Sequence, residues 1–167
     1  MKLFSIKANL AAGLAYCLRK MEGQEVVNTL GGDAIIAVRS NDRVIKKIIE
    51  ANKNFEDAVK ITVEKKTAIH KEIQEKYNEE SKDKTPEELA ALARTFNEDF
   101  GKKAAEVQKE STANPDEIVD VLLSDDDYSK VLLPLFKKSI ASWDDGNGGG
   151  QAMFLEVADA IENVKES

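Results

Sequence analysis

The sequence predicts a mostly α protein: a helical bundle built on a long antiparallel helical hairpin, with a flexibly tethered C-terminal helix. Three observations carry that expectation. Stepping by threes and fours from Ile35 reaches Val38, Asp42, Ile45, Ile48, Asn52, Phe55, Val59, Thr62, Lys66, Ile69 and Ile73, most of them apolar. This spacing of about 3.5 residues marks helices packed side by side. The chain is 42% hydrophobic and 33% charged but only 6% aromatic, which suits helices better than a sandwich or barrel. Helix breakers are scarce outside residues 146–150, which hold four of the nine glycines.

The 167 residues suffice for one domain with a real core. Residues 1–145 are expected to form the bundle, 146–150 a Gly-rich linker, and 151–167 an amphipathic helix. Residues 2–5 read as a short strand or a frayed helical lead-in. From Lys7, one helical face collects Leu10, Leu14, Cys17, Leu18 and Met21 among small alanines, and Gly23 marks its end. Residues 24–30 connect, and Gly31-Gly32-Asp33 supplies a turn and an N-cap.

Residues 33–80 then read as one continuous helix. Residues 34–38 (Ala-Ile-Ile-Ala-Val) have a strand alternative because β-branched residues favour extended backbone. Helix is preferred because Ile35 and Val38 fall in phase with Ile45 and Ile48. A flanking row, Ile49, Val63 and His70, is broken by Glu56. After a polar break, Thr85-Pro86-Glu87-Glu88 has the form of a capping box with proline at the first helical position. The helix that follows presents Leu89, Leu92, Ala93, Phe96, Phe100, Ala104 and Val107 on one stripe. Two long amphipathic helices joined by a short loop imply an antiparallel hairpin.

Asn114-Pro115-Asp116-Glu117 is read as the start of a short helix with Ile118, Val121 and Leu122 inward. A further apolar run holds Tyr128, Val131, Leu132, Leu135, Phe136, Ile140 and Trp143, with Pro134 expected to kink it or to open a fresh turn. The final helix carries Met153, Phe154, Val157, Ile161 and Val164. Its apolar face must be covered, either by its own bundle or by another subunit.

Composition and motifs exclude several chemistries. A net charge of −7 and a pI near 4.9 oppose a general nucleic-acid binder. No apolar run approaches the ~20 residues that cross a bilayer, and the N-terminus lacks the apolar core of a signal peptide. A cytoplasmic location is therefore expected, without membrane association. Cys17 is the only cysteine and His70 the only histidine. They provide no disulfide, no metal framework and no Ser/His/Asp triad. Asp125-Asp126-Asp127 and Asp144-Asp145-Gly146-Asn147-Gly148 lack the ordered ligand spacing of a calcium loop. The glycines before the last helix lack a Gly-Lys-Ser/Thr ending, so no phosphate-binding loop is read there. No cofactor, metal or catalytic residue is expected, and the chain is read as non-enzymatic.

Polar residues in the seam are the remaining signal. Asn52, Thr62 and Lys66 stand where apolar residues are expected, and Arg39, Asp42 and Arg43 cluster near the helix start. Such residues fix register or face solvent. Alternatively, Arg39, Arg43, Lys46 and Lys66 hold an anionic ligand between helices, with His70 and Trp143 stacking on a base.

The run Arg43-Val44-Ile45-Lys46-Lys47 into Lys71-Glu72-Ile73-Gln74-Glu75-Lys76-Tyr77, a polar gap, and then Phe96-Asn97-Glu98-Asp99-Phe100 resembles small helical proteins encoded by bacteriophages. The resemblance spans about residues 40–118 and leaves out everything from Asp144 onward. It implies an accessory or counter-defence factor in the host cytoplasm, some of which sequester nucleotide signals in pockets between subunits. The resulting expectation is a homo-oligomer that sequesters a small anionic ligand such as a signalling nucleotide. The competing expectation is a protein–protein interaction or assembly factor: a phage structural chaperone, or an inhibitor of a host protein. Converging basic side chains in a cavity would favour the first. An exposed apolar helix face would favour the second, with the C-terminal helix as its obvious carrier.

Overall fold

The computed structural model describes residues 1–139 and 149–166 and is mostly helical, with one small sheet. It divides into two compact units: Met1–Phe55 with Asn114–Ser167, and Glu56–Ala113.

The first unit is organised around β1 (Lys2–Lys7), the central strand of a three-stranded antiparallel sheet. On one side β1 pairs with β2 (Ile118–Leu123), from Lys2 opposite Leu123 to Lys7 opposite Ile118. On the other side it pairs with the two-residue β3 (Lys165–Glu166). Strand alternation sends Phe4 and Ile6 to one face together with Val121 and Leu123, and all four are buried. Residues 2–5 are thus strand. The short helix expected after Asn114 is instead β2. Its buried residues Val121 and Leu123 lie two apart, and Leu122 is exposed. Asp120 accepts a hydrogen bond from Ser5 Oγ across the sheet (2.5 Å). Alternation in Val119-Asp120-Val121-Leu122-Leu123, rather than a helical period, is the pattern the sheet uses.

Helix α1 (Ala8–Lys20) follows β1 directly and buries Leu10, Leu14, Cys17 and Leu18. The expected connection after it is itself a helix, α2 (Gly23–Leu30), which buries Val26. It stops at Gly31, whose backbone φ of 71° is a left-handed conformation that a side chain would strain. Asp33 caps α3 (Ala34–Ala51) by accepting the Ile36 N–H at 3.0 Å. Residues 34–38 are therefore helical.

The continuous helix expected over residues 33–80 is broken at Asn52, between α3 and α4 (Lys53–Glu80). Asn52 leaves helical geometry (φ −99°, ψ 13°), and its buried side chain donates to the Ala8 carbonyl at 2.8 Å. The inward face of α3 also differs from the expected seam. Ala37, Asn41, Val44, Ile45 and Ile48 face the core, while Ile35 and Val38 point to solvent.

A π-helical turn, Asp127–Leu132, leads into α6 (Leu133–Lys138), and Pro134 stands in the first turn of α6 as a fresh start. Helix α7 (Gly149–Glu162) packs on β1 and α1. It buries Val157 and Ile161, stacks Phe154 on Phe136 with ring centroids 4.5 Å apart, and receives a hydrogen bond from Tyr128 Oη at the Ile161 carbonyl (2.9 Å). Its apolar face is covered by its own unit, so it is not the exposed carrier that the interaction reading expected. Of the linker expected over residues 146–150, residues 146–148 lie outside the described residues, and Gly149 and Gly150 open α7.

The second unit is the antiparallel hairpin of α4 with α5 (Pro86–Glu110). Its contacts step in opposite directions along the two helices: Thr62 Oγ1 with Ser111 Oγ (2.7 Å), Lys66 Nζ to Gln108 Oε1 (2.7 Å), and Tyr77 edge-on to Phe96 (5.7 Å). The capping box forms as expected, with Glu88 N–H donating to Thr85 Oγ1 and Thr85 N–H donating to the Glu88 carboxylate. No described helix is long and apolar enough to cross a membrane.

Candidate interaction surface

The hairpin is the unit with the least interior. In α4 only Thr62 and Ile73 are buried, and α5 buries no residue at all. A pair of helices can close just one seam between them. Here that seam brings Thr62 to Ser111, Lys66 to Gln108 and Tyr77 to Phe96, with Ile73 buried within it.

The two broad faces flanking the seam differ in chemistry. One carries charge from both helices: Glu72 pairs with Lys76 (2.9 Å) and Lys103 with Asp99 (3.4 Å). Lys76 holds the Glu72 carboxyl below its usual range. The other face is formed by the heptad rows Val63-His70-Tyr77 and Thr67-Gln74-Ser81 of α4, with Ala93-Phe100-Val107 and Ala90-Asn97-Ala104 of α5. None of these positions is Lys, Arg, Asp or Glu, in a chain where a third of residues are charged. Its middle is a groove of about 320 Å³ lined by His70, Ile73, Gln74, Tyr77, Ala93, Phe96, Asn97 and Phe100. His70 packs edge-on against Phe100 with centroids 5.4 Å apart and planes at 88°. That geometry is a favourable aromatic arrangement.

The residues expected to hold an anion do not form one site. Arg39, Arg43 and Lys46 do converge, with Asp42, Lys47 and Glu50, on an open groove of about 370 Å³ along α3. Carboxylates already engage much of that charge. Arg43 holds Asp127 through Nη2 (2.6 Å) and Nε (3.0 Å), Lys47 lies 3.9 Å from the same carboxylate, and Lys46 lies 3.3 Å from Asp42. Asp127 is buried, and its carboxyl is held below the usual range chiefly by the Arg43 hydrogen bonds, which outweigh the upward push of burial. The pair ties α3 to the π-helical turn. Lys66 and His70 belong to the hairpin, where Lys66 bridges to Gln108 and His70 packs on Phe100. Trp143 lies outside the described residues.

The seam polars make specific contacts: Asn52 to the Ala8 carbonyl, Thr62 to Ser111 and Lys66 to Gln108. Among the described residues, no three His, Cys, Asp or Glu side chains cluster as metal ligands do. Sequence reasoning found the seam but missed the uncharged face beside it. The signal was present as heptad rows free of charge, although they mix apolar, amide and hydroxyl side chains and so do not stand out as hydrophobic. Comparison of the chain with protein-family models, curated proteins and solved structures finds no match.

Proposed function

We propose that this protein is a non-catalytic interaction or assembly factor that docks through its α4–α5 hairpin. The observation that carries the reading is the uncharged face of a unit with almost no interior of its own. An exposed two-helix hairpin gains little by keeping one face free of charge for water. The same face is what a helical partner needs, because burying a charge in a contact is costly unless it is paired. A photo-crosslinking amino acid at Gln74 or Asn97, compared with one at Lys65 or Thr95 on the charged face, tests it in the cells that make the protein. Protein adducts are expected from the first pair of sites alone. Equal yields from both pairs, or none from either, would remove the docking reading.

The second reading, sequestration of an anionic ligand such as a signalling nucleotide, is supported by the groove along α3. Arg39 and Lys47 flank it with Arg43 and Lys46. Titration calorimetry with pyrophosphate and with a dinucleotide tests this reading. Heat that disappears in Arg39→Gln/Lys47→Gln would favour it, whereas no heat at millimolar ligand removes it.

A further inference from the structure

We propose that the uncharged face of the hairpin pairs with the same face of a second copy of this chain, the tip of one hairpin against the root of the other, closing a four-helix bundle. The inference rests on the docking reading above and names the occupant of the face.

Four features of the hairpin identify that occupant. The first is size. α4 has 28 residues and α5 has 25, so each is about 40 Å long, and two helices side by side are roughly 20 Å wide. A face of that size offers about 800 Å² per partner, the area of a standard stable interface.

The second feature is side-chain size. Ala90, Ala93, Gly101 and Ala104 lie on or beside the face, and a Cβ at Gly101 would meet nothing within 4 Å. Small residues there let a second pair of helices approach closely, while Val63, Tyr77 and Phe100 supply apolar contact.

Self-complementarity is the third. A two-fold contact near the middle of the face places residues close to their own counterparts. The polar residues of the face, among them the amides Gln74 and Asn97 with Thr67, His70 and Ser81, are uncharged groups that can hydrogen-bond to residues of the same kind on the face of a second copy. Lysine or glutamate at these positions would be buried in the contact without a partner.

The fourth is charge along the hairpin, which selects the direction. The tip, residues 72–88, carries seven acidic and three basic residues. The root, residues 56–66 with 102–113, carries six basic and five acidic residues. Tip against tip would bring two net charges of −4 together, whereas tip against root sets −4 beside +1. Like-charge juxtaposition at a contact costs several kcal/mol, so the antiparallel arrangement is the one that assembles.

Sedimentation equilibrium of the full chain tests the pairing. The wild type is expected to be a dimer. Gln74→Lys/Asn97→Lys, which buries four unpaired charges in the dimer contact, is expected to raise the dissociation constant by about 100-fold or more. Circular dichroism should report unchanged helix content for this variant. Lys65→Gln/Thr95→Lys, on the charged face, should leave the dimer as it is. A wild type that remains monomeric to several hundred micromolar overturns the proposal, as does a doubly substituted face that still dimerises with full affinity.

Spin labels at Lys82→Cys read the direction, since Cys17 is buried away from the reagent. Tip-to-root pairing puts the two labels roughly 40 Å apart, and tip-to-tip pairing brings them within about 20 Å, which would overturn the orientation. A monomer whose Gln74 and Asn97 crosslinks to other proteins persist removes self-pairing but leaves the docking reading intact. Loss of both signals removes both.

Discussion

The two units are built from the same kind of helix but are held in different ways. Met1–Phe55 with Asn114–Ser167 surrounds a shared interior in which Phe4, Leu14, Leu18, Val44, Ile48, Leu132 and Ile161 are all essentially inaccessible to water. Glu56–Ala113 has two buried residues in one helix and none in the other. Local devices occur in both. In the first unit α1 and α2 lack side-chain caps while Asp33 caps α3 and Lys46 pairs with Asp42; in the second, α5 has a full capping box and both helices carry i,i+4 ion pairs. Where tertiary burial is deep, such devices add to an interior that already holds the helices. Where burial is shallow, local hydrogen bonds and ion pairs carry a larger share of what holds the helices.

The largest effect should come from the interior of the first unit. Leu14→Ala or Leu132→Ala is expected to cost about 3–4 kcal/mol, the transfer term plus a cavity that close packing cannot fill. Ile73→Ala, at the centre of the hairpin seam, should cost about 2 kcal/mol, because partly exposed neighbours can relax around it. Urea denaturation of each variant at one fixed protein concentration measures both. Equal losses would break the contrast between the units.

Asp127 comes next, as the charged contact inside the well-packed unit. Asp127→Ala removes a buried carboxylate that Arg43 grips through two nitrogens and leaves the half-exposed Arg43 to water, so a loss of about 2 kcal/mol at neutral pH is expected. The folded state holds this carboxyl below its ordinary value, so its contribution is complete above the ordinary carboxylate range. It fades as pH falls through the depressed value. The stabilities of wild type and variant, followed from pH 7 downward, should therefore converge in acid. A constant gap down to the most acid condition would show that Asp127 acts through packing alone.

How much of this was legible in the sequence follows from the same contrast. The hairpin, its loop and its capping box could be read because their determinants are local: Thr85 and Glu88 are three residues apart, and the seam repeats within each helix. Asp33 as an N-cap was legible for the same reason. The break at Asn52 was not, because it depends on a carbonyl 44 positions away, at Ala8. β2 was missed because six residues of Ile-Val-Asp-Val-Leu-Leu fit helical spacing as well as alternation. Only pairing with β1, more than a hundred residues earlier, decides between them. The engagement of Arg43 by Asp127 was not legible because that carboxylate lies 84 positions away. The uncharged face was visible only as an absence of charge along heptad rows, and no local rule for helix formation reads such an absence.

The smallest predicted effect separates the units most cleanly, because it touches no interior. Thr85→Ala deletes the hydroxyl that accepts the Glu88 N–H and should cost about 1 kcal/mol. The Glu88 carboxyl is held below its usual range, chiefly because it accepts the Thr85 backbone N–H. The cap's contribution is therefore full above the ordinary carboxylate range and declines as acid protonates Glu88. A hairpin that depends on local hydrogen bonds should show the loss locally. Amide exchange is expected to quicken in the first turns of α5, at Leu89 and Ala90, while amides of β1 and α1 keep their protection. Uniform acceleration across both units would mean that they unfold as one, and that the shallow interior of the hairpin is no measure of its independence.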